Sequence, residues 1–328
     1  MKPRGFLIFS ALLIFSSTCF ARSAAGEGLD RMRAVDLDLL RRCAPRPAGM
    51  GGAFTAVKDD PIGLFWNPAA ALHANRLMIS GNHSLRHFPG ERENLDQFDS
   101  DTTAIIVPLE GETAMGVGFT VPGEWGIDHV DTNGVVPGAE RLRGRERMLA
   151  FGDVGGGRRA AAGTAHSDWL RYGGPGGDSV RSFGRGAGFS FFYEGDDGFT
   201  YGVSLKGLAS LIRGGGGDGK AGEATIGLGV AYRAHDVART LAALDLEIRF
   251  RAARRTRVLV FGGVERRFEN RAFARLGCMH GLPTYGVGVK SGGLRLDYAV
   301  VKDLLPRVVD KDVAAFRDGH FLSYTLGM

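Results

Sequence analysis

From about Leu77 onward, apolar side chains recur at every second position. Met115, Val117, Phe119 and Val121 alternate with Gly116, Gly118 and Thr120. Ile226, Leu228, Val230 and Tyr232 alternate with Thr225, Gly227, Gly229 and Ala231. Leu244, Leu246, Ile248 and Phe250 alternate with Asp245, Glu247, Arg249 and Arg251. The rhythm persists through Tyr285–Val289, Leu294–Val300 and the closing Leu322, Tyr324, Leu326 and Met328. Successive side chains of a strand point to opposite faces, so each run predicts a strand with one apolar face and one small or charged face. Up to the C-terminus the runs make about 13–14 strands, each near the roughly 9–11 residues that cross a bilayer when tilted. A soluble sandwich also has one apolar face per strand, and strand number and length favour the barrel. The small and charged faces then line the lumen, where Glu247 and Arg249 are expected to form an ion pair. Two glycine-rich stretches, 153–177 and 213–222, read as long loops. Residues 124–147 read as strand end, outer loop with the Asn133-Gly134 turn signal, and strand start. Residues 302–317 read as a last connection.

Upstream the rhythm stops. Arg46 to Leu72, RPAGMGGAFTAVKDDPIGLFWNPAAAL, is a run of tight turns too short to hold a core of its own. Gly49, Gly51 and Gly52 suit positive φ or close approach to another segment. Asp60-Pro61 and Asn67-Pro68 each set a capping side chain before a proline. Asn67 is expected to cap a short helix over Pro68–Leu72, and Asp59 or Asp60 to cap the turn carrying Leu64 and Phe65. Phe54, Phe65 and Trp66 offer apolar surface to whatever surrounds them.

The first 25 residues read as a signal peptide: Lys2 and Arg4, then the apolar Phe6–Phe15, then a small-residue cleavage site at Ser23-Ala24-Ala25 or at Cys19-Phe20-Ala21. A lipoprotein anchored at Cys19 is the alternative. Residues 26–45 are charged and read either as a short helix with Leu29, Met32, Leu37 and Leu40 on one face or as a frayed mature N-terminus. Glycine, 51 of 328 residues, is about twice its usual share, which argues against a helical bundle. The formal net charge is +5, and loss of Lys2, Arg4 and Arg22 with the signal leaves 5 − 3 = +2. That is no nucleic-acid footprint. Cys43 and Cys278 read as two buried thiols, or else as a bridge from the N-terminal segment to a late strand.

The block Gly49-Met-Gly-Gly-Ala-Phe-Thr-Ala-Val57, Asp59-Asp60 and Trp66-Asn67-Pro68-Ala69 resembles the N-terminal hatch of FadL-like outer-membrane proteins, most closely the PorV/PorQ type. Residues 294–299 and 320–328 look like late strands of PorV-type proteins, although those strands usually close on an aromatic residue and this one closes on Met328. The resemblance implies an all-β fold: a closed antiparallel transmembrane β-barrel of about 14 strands, with the N-terminal segment inside. On that reading residues 1–25 are the signal, 26–75 the N-terminal segment and hatch, and 76–328 the barrel. The hatch and binding residues are Gly49, Gly51, Gly52, Phe54, Asp59, Asp60, Phe65, Trp66, Asn67 and Pro68.

No enzyme chemistry emerges. Gly49–Gly52 lacks the Lys-Ser/Thr of a phosphate loop, no nucleophile elbow occurs, and His83 and His87, four apart on a strand, stand about 13 Å from each other, too far to share a metal. No cofactor is expected. The expected function is a FadL-like porin that passes or binds hydrophobic small molecules such as long-chain fatty acids in the outer membrane, without covalent chemistry. The alternative is a PorV-like adaptor in protein secretion or surface assembly. The partners are the lipid bilayer and either a hydrophobic ligand or secretion-system proteins, with no nucleic acid.

Overall fold

A computed structural model describes residues 44–74, 76–84, 100–122, 125–128, 139–154, 157–173, 179–207, 211–214, 223–234, 239–251, 256–269, 271–302 and 318–328. The signal sequence, the 26–43 segment with Cys43, His87, the Asn133-Gly134 turn and the 303–317 connection lie outside the described residues.

Three short helices open the described chain: α1 (Pro45–Gly49), a 3-10 helix (Pro61–Phe65) and α2 (Pro68–Leu72). Everything after them is strand: β1 (Met78–Ser84), β2 (Ser100–Leu109), β3 (Thr113–Pro122), β4 (Trp125–Asp128), β5 (Ala139–Asp153), β6 (Arg159–Gly173), β7 (Ser179–Glu194) and β8 (Phe199–Lys206). There follow β9 (Leu211–Gly214), β10 (Glu223–Arg233), β11 (Thr240–Arg251), β12 (Arg257–Phe268), β13 (Ala272–Met279), β14 (Leu282–Ser291), β15 (Leu294–Val301) and β16 (Gly319–Gly327). Both β3 and β4 pair with β5, and both β8 and β9 pair with β7, so each couple is one interrupted strand and the 16 segments make 14 strands. Every pairing is antiparallel between neighbours in the chain, and β1 closes the ring on β16, with Ser80 opposite Thr325. Closure removes the open edges that would otherwise invite pairing with other chains. It also gives the chain the expected barrel of about 14 strands.

The two-residue rhythm maps onto the wall as expected, apolar side outward. Val258, Leu276, Val287 and Val289 are each more than half exposed, whereas Asp245, Glu247 and Arg249 on β11 are buried against the lumen's contents. One end of the barrel carries short connections, two residues at 292–293 and three at 269–271. The other end carries the larger gaps between strands. Near the short-turn end the outer face bears Tyr193, Phe199, Tyr201 and Tyr232, whose rings contact one another in sequence around the wall with centroids 4.7–6.4 Å apart.

Two readings are corrected. Residues 153–177 are not a long loop: β5 and β6 flank a short turn, and β6 pairs along its whole length with β7. Its run Ala160-Ala161-Ala162-Gly163-Thr164-Ala165 is small on both faces, so it carries no apolar alternation to mark it as strand. Cys278 is a free thiol on the exposed outer face rather than a buried one.

The seam between first and last strands gives a direct check. With Cys43 and Cys278 replaced by serine, Ser80→Cys with Thr325→Cys is expected to form a disulfide on mild oxidation, seen as a mobility shift. Ser80→Cys with Ser323→Cys, two residues out of register, is expected to cross-link far less.

Candidate functional site

The segment 44–74 lies within the barrel and spans its lumen. It begins with α1 against β13, β14, β15 and β16, and ends with α2 against β3, β5, β6 and β7. Its apolar side chains build the centre of the buried core. Met50, Phe54, Leu64 and Leu72 are shut off from solvent together with Phe192 and Phe261 of the wall. Burying one such side chain contributes roughly 1.5–3 kcal/mol. The Phe54 and Trp66 rings meet edge to face at 5.8 Å.

Local sequence explains the turns. The Asp60 carboxylate accepts from the Ile62 amide and so starts the 3-10 helix at Pro61. The Asn67 carbonyl oxygen accepts from the Ala70 amide and starts α2 at Pro68. Asp59 does not cap; it sits exposed with φ 66° in the left-handed region. Gly51 has φ 65°, and a Cβ there would lie 2.2 Å from the Gly262 carbonyl oxygen. The wall answers with its own glycines. A Cβ on Gly202, Gly263 or Gly277 would fall 2.1–2.4 Å from the backbone of Thr55, Met50 or Gly51. The glycine-rich lumenal faces are the clearance that the inserted segment needs. Gly49 ends α1 against Gly286, Gly52 lies over Phe261, and Phe65 fits against Gly118.

Polar anchors hold the segment to the wall. Asp245 of β11 accepts the Phe54 and Thr55 amides at 2.7 and 2.8 Å through one oxygen. The Thr284 hydroxyl of β14 accepts the Gly51 amide and donates to the Gly49 carbonyl. The Asn67 side-chain amide donates to the carbonyls of Thr55 and, across to β7, Phe191, while Ser190 accepts from the Ala69 amide. The Trp66 indole donates to the Gly52 carbonyl, and the Lys206 ammonium to that of Phe65.

The strongest anchor is ionic. Arg46 of α1 grips Glu265 of β12 with two parallel bonds of 2.9 Å and reaches Asp60 at 3.1 Å. Arg295 of β15 also pairs with Asp60, and with Asp297 at 2.7 Å. Arg275 of β13 joins Glu265 at 2.6 Å and faces Asp297 at 2.7 Å, the second contact being charge against charge without an aligned hydrogen bond. Bidentate guanidinium–carboxylate pairing is the strong form of a charged hydrogen bond. Burial alone would raise the Asp60 carboxyl, but the guanidiniums of Arg295 and Arg46 outweigh it and hold it below the usual aspartate range. The anchorage Asp60 supplies is thus present above the ordinary value of about 3.9 and is lost only as the pH falls through its lower folded value.

Six of the ten expected residues, Gly49, Gly51, Gly52, Phe54, Phe65 and Trp66, meet around the lumenal core. Asp60, Asn67 and Pro68 shape its turns, and Asp59 stands apart at one mouth. The Glu247–Arg249 pair is present at 2.5 Å. Sequence reasoning missed Arg46, Glu265, Arg275, Arg295 and Asp297. The last four sit at lumen-facing positions of their strands, and charge at such positions was the available signal. Among the described residues no cluster of three metal-ligating side chains occurs. His83 instead pairs with Asp101 at 2.6 Å.

The sequence matches no protein-family model and no curated protein. Among solved structures the fold is that of FadL-type hydrocarbon channels. The toluene transporter TbuX of Ralstonia pickettii superposes with a TM-score of 0.64 at 13% identity, covering 87% of this chain and 98% of that one. TodX, the toluene transporter of Pseudomonas putida, gives 0.61 at 12%, covering 86% and 97%. A FadL homologue of Pseudomonas aeruginosa gives 0.58 at 11%, covering 86% and 98%.

Two substitutions test the packing of the inserted segment. Gly51→Ala forces a left-handed residue against the Gly262 carbonyl. Asn67→Ala removes a helix cap and two carbonyl contacts at an expected cost of about 2–3 kcal/mol. Both are expected to lower the unfolding midpoint in detergent, with Pro68→Ala lowering it much less.

Proposed function

We propose that the chain is an outer-membrane β-barrel channel of the FadL-like kind, exported by its residues 1–25, that lets hydrophobic small molecules diffuse past a hatch formed by the segment 44–74. The observation that carries this reading is the pairing of an apolar, exposed outer wall with an N-terminal segment folded into the lumen. Aromatic rings collected at one level of the outer face suit a membrane–water boundary, and short turns at that end suit the periplasmic side. Passage needs no covalent step: the hatch shifts, the apolar core around Phe54, Trp66 and Phe192 receives the solute, and the wall excludes water. The names of the neighbours TbuX and TodX suggest monoaromatic hydrocarbons as the solute class. The hatch motif adds long-chain fatty acids.

A second reading, a PorV-like adaptor for secretion or surface assembly, draws on one observation. The hatch is tied to the wall by a buried network of five charged groups, Arg46, Asp60, Glu265, Arg275 and Asp297, extended by Arg295. That is a strong bolt for a part that must move.

Uptake separates the two. Cells producing the protein in their outer membrane are expected to take up radiolabelled toluene or oleate several-fold faster than cells without it. Uptake equal in the two strains, with the protein folded in the outer membrane, would reject the channel and leave the adaptor, whose loss should change the set of exported proteins.

A further inference from the structure

At the short-turn end, below the hatch, the lumen holds a cavity of about 410 Å³ with an unusual charge balance: seven basic side chains line it against two acidic ones. Arg233, Arg267 and Lys290 project inward from the ends of β10, β12 and β14. Arg239 stands at the entry to β11, and Arg76 on the link into β1. The inner wall is formed by Arg46 and Arg295, already held by Glu265, Asp60 and Asp297. Of the two lining acids, Glu265 is shared between Arg46 and Arg275, and Asp59 lies exposed at the mouth. Among the described residues Arg76, Arg233, Arg239 and Lys290 take part in no salt bridge. Lys290 shares the cavity wall with Arg76, Arg267, Arg295 and Arg46, all of its own sign.

Like charges gathered in a walled recess repel one another, and low-dielectric walls focus their field on the space between. Such a cluster is stable when an anion enters, and guanidinium forks match the oxygens of phosphate and carboxylate groups. We propose that this cavity is a binding site for a multiply charged oxyanion, a phosphoryl or polycarboxylate group, at the foot of the hatch. The group reaches the cationic rim formed by Arg233, Arg239 and Lys290, and behind them the Arg46–Arg295 edge of the hatch anchor. The site stands on charges at the barrel's mouth and not on what the barrel passes. The lining side chains face the lumen, which favours a soluble anion. A phospholipid headgroup at the rim carries the same phosphate chemistry.

Inorganic pyrophosphate is the probe. The full chain, folded in neutral detergent or in phosphatidylcholine nanodiscs, is titrated calorimetrically, with sodium chloride added to matched ionic strength as the blank. Pyrophosphate is expected to bind one site per chain. The Arg233→Gln, Lys290→Gln double variant, which breaks no ion pair among the described residues, is expected to weaken it about tenfold or more. Arg158→Gln, an exposed arginine paired with Asp196 at a turn of the same end, leaves it unchanged. Repeating the titration in nanodiscs containing phosphatidylglycerol assigns the source. Unchanged affinity supports a soluble anion, and competition supports a lipid headgroup at the same site. Absence of binding, binding that survives the double variant, or equal weakening by Arg158→Gln overturns the proposal.

Discussion

The structure depends on filling the inside of a wide barrel. A ring of fourteen strands encloses a space too large for its own side chains to close. The Arg46 guanidinium, buried and locked in a fork on Glu265, is what commits the N-terminal segment to that space. Removing a charge like this from water costs several kcal/mol, and only a well-matched set of partners offsets it. Asp60, Arg295, Arg275 and Asp297 supply that set, drawing β12, β13 and β15 together around one point. Once Arg46 is fixed, the path of the following residues is determined by local chemistry: glycines at the close approaches, Asp245 under the Phe54 and Thr55 amides, and Asn67 at the start of α2.

The division between the two sides of the wall follows from the same constraint. Outward positions are mostly large and apolar, as at Leu244, Val258, Val287 and Val289, with polar exceptions such as the His83–Asp101 pair. Inward positions clear the inserted backbone, which selects glycine, bond to it, which selects Asp245, Thr284 and Ser190, or pack against it, as Phe192 and Phe261 do. A two-residue alternation of large apolar residues with glycine is thus the imprint of a wall built around a plug.

Much of this was legible in the sequence. Alternation gave the strands and their outward faces, because large apolar residues differ sharply from the small or charged residues opposite them in β11, β14 and β16. It failed at β6, where alanine occupies both faces and the pairing with β7 alone defines the strand. The turns of the inserted segment could be read from Asp60-Pro61 and Asn67-Pro68, since capping is a local interaction. The charged network could not, because Arg46 meets Glu265 across 219 positions and nothing local to either residue names the other. The burial state of Cys278 escaped for a related reason: its parity on β13 places it outward, and thiols are usually inside. The likeness to FadL-type channels at 11–13% identity reflects the same division, with fold shared and sequence almost wholly replaced.

The most direct measurement of the central claim is a double-mutant cycle between Arg46 and Glu265. Arg46→Met, Glu265→Gln and the pair are compared by equilibrium unfolding in urea from phospholipid vesicles. If the inserted segment is bolted inside the barrel by this contact, the coupling energy is about 2 kcal/mol or more, and the double variant is more stable than the sum of the single losses implies. Additive losses, with no coupling, would contradict the account and leave the segment held by something other than this pair.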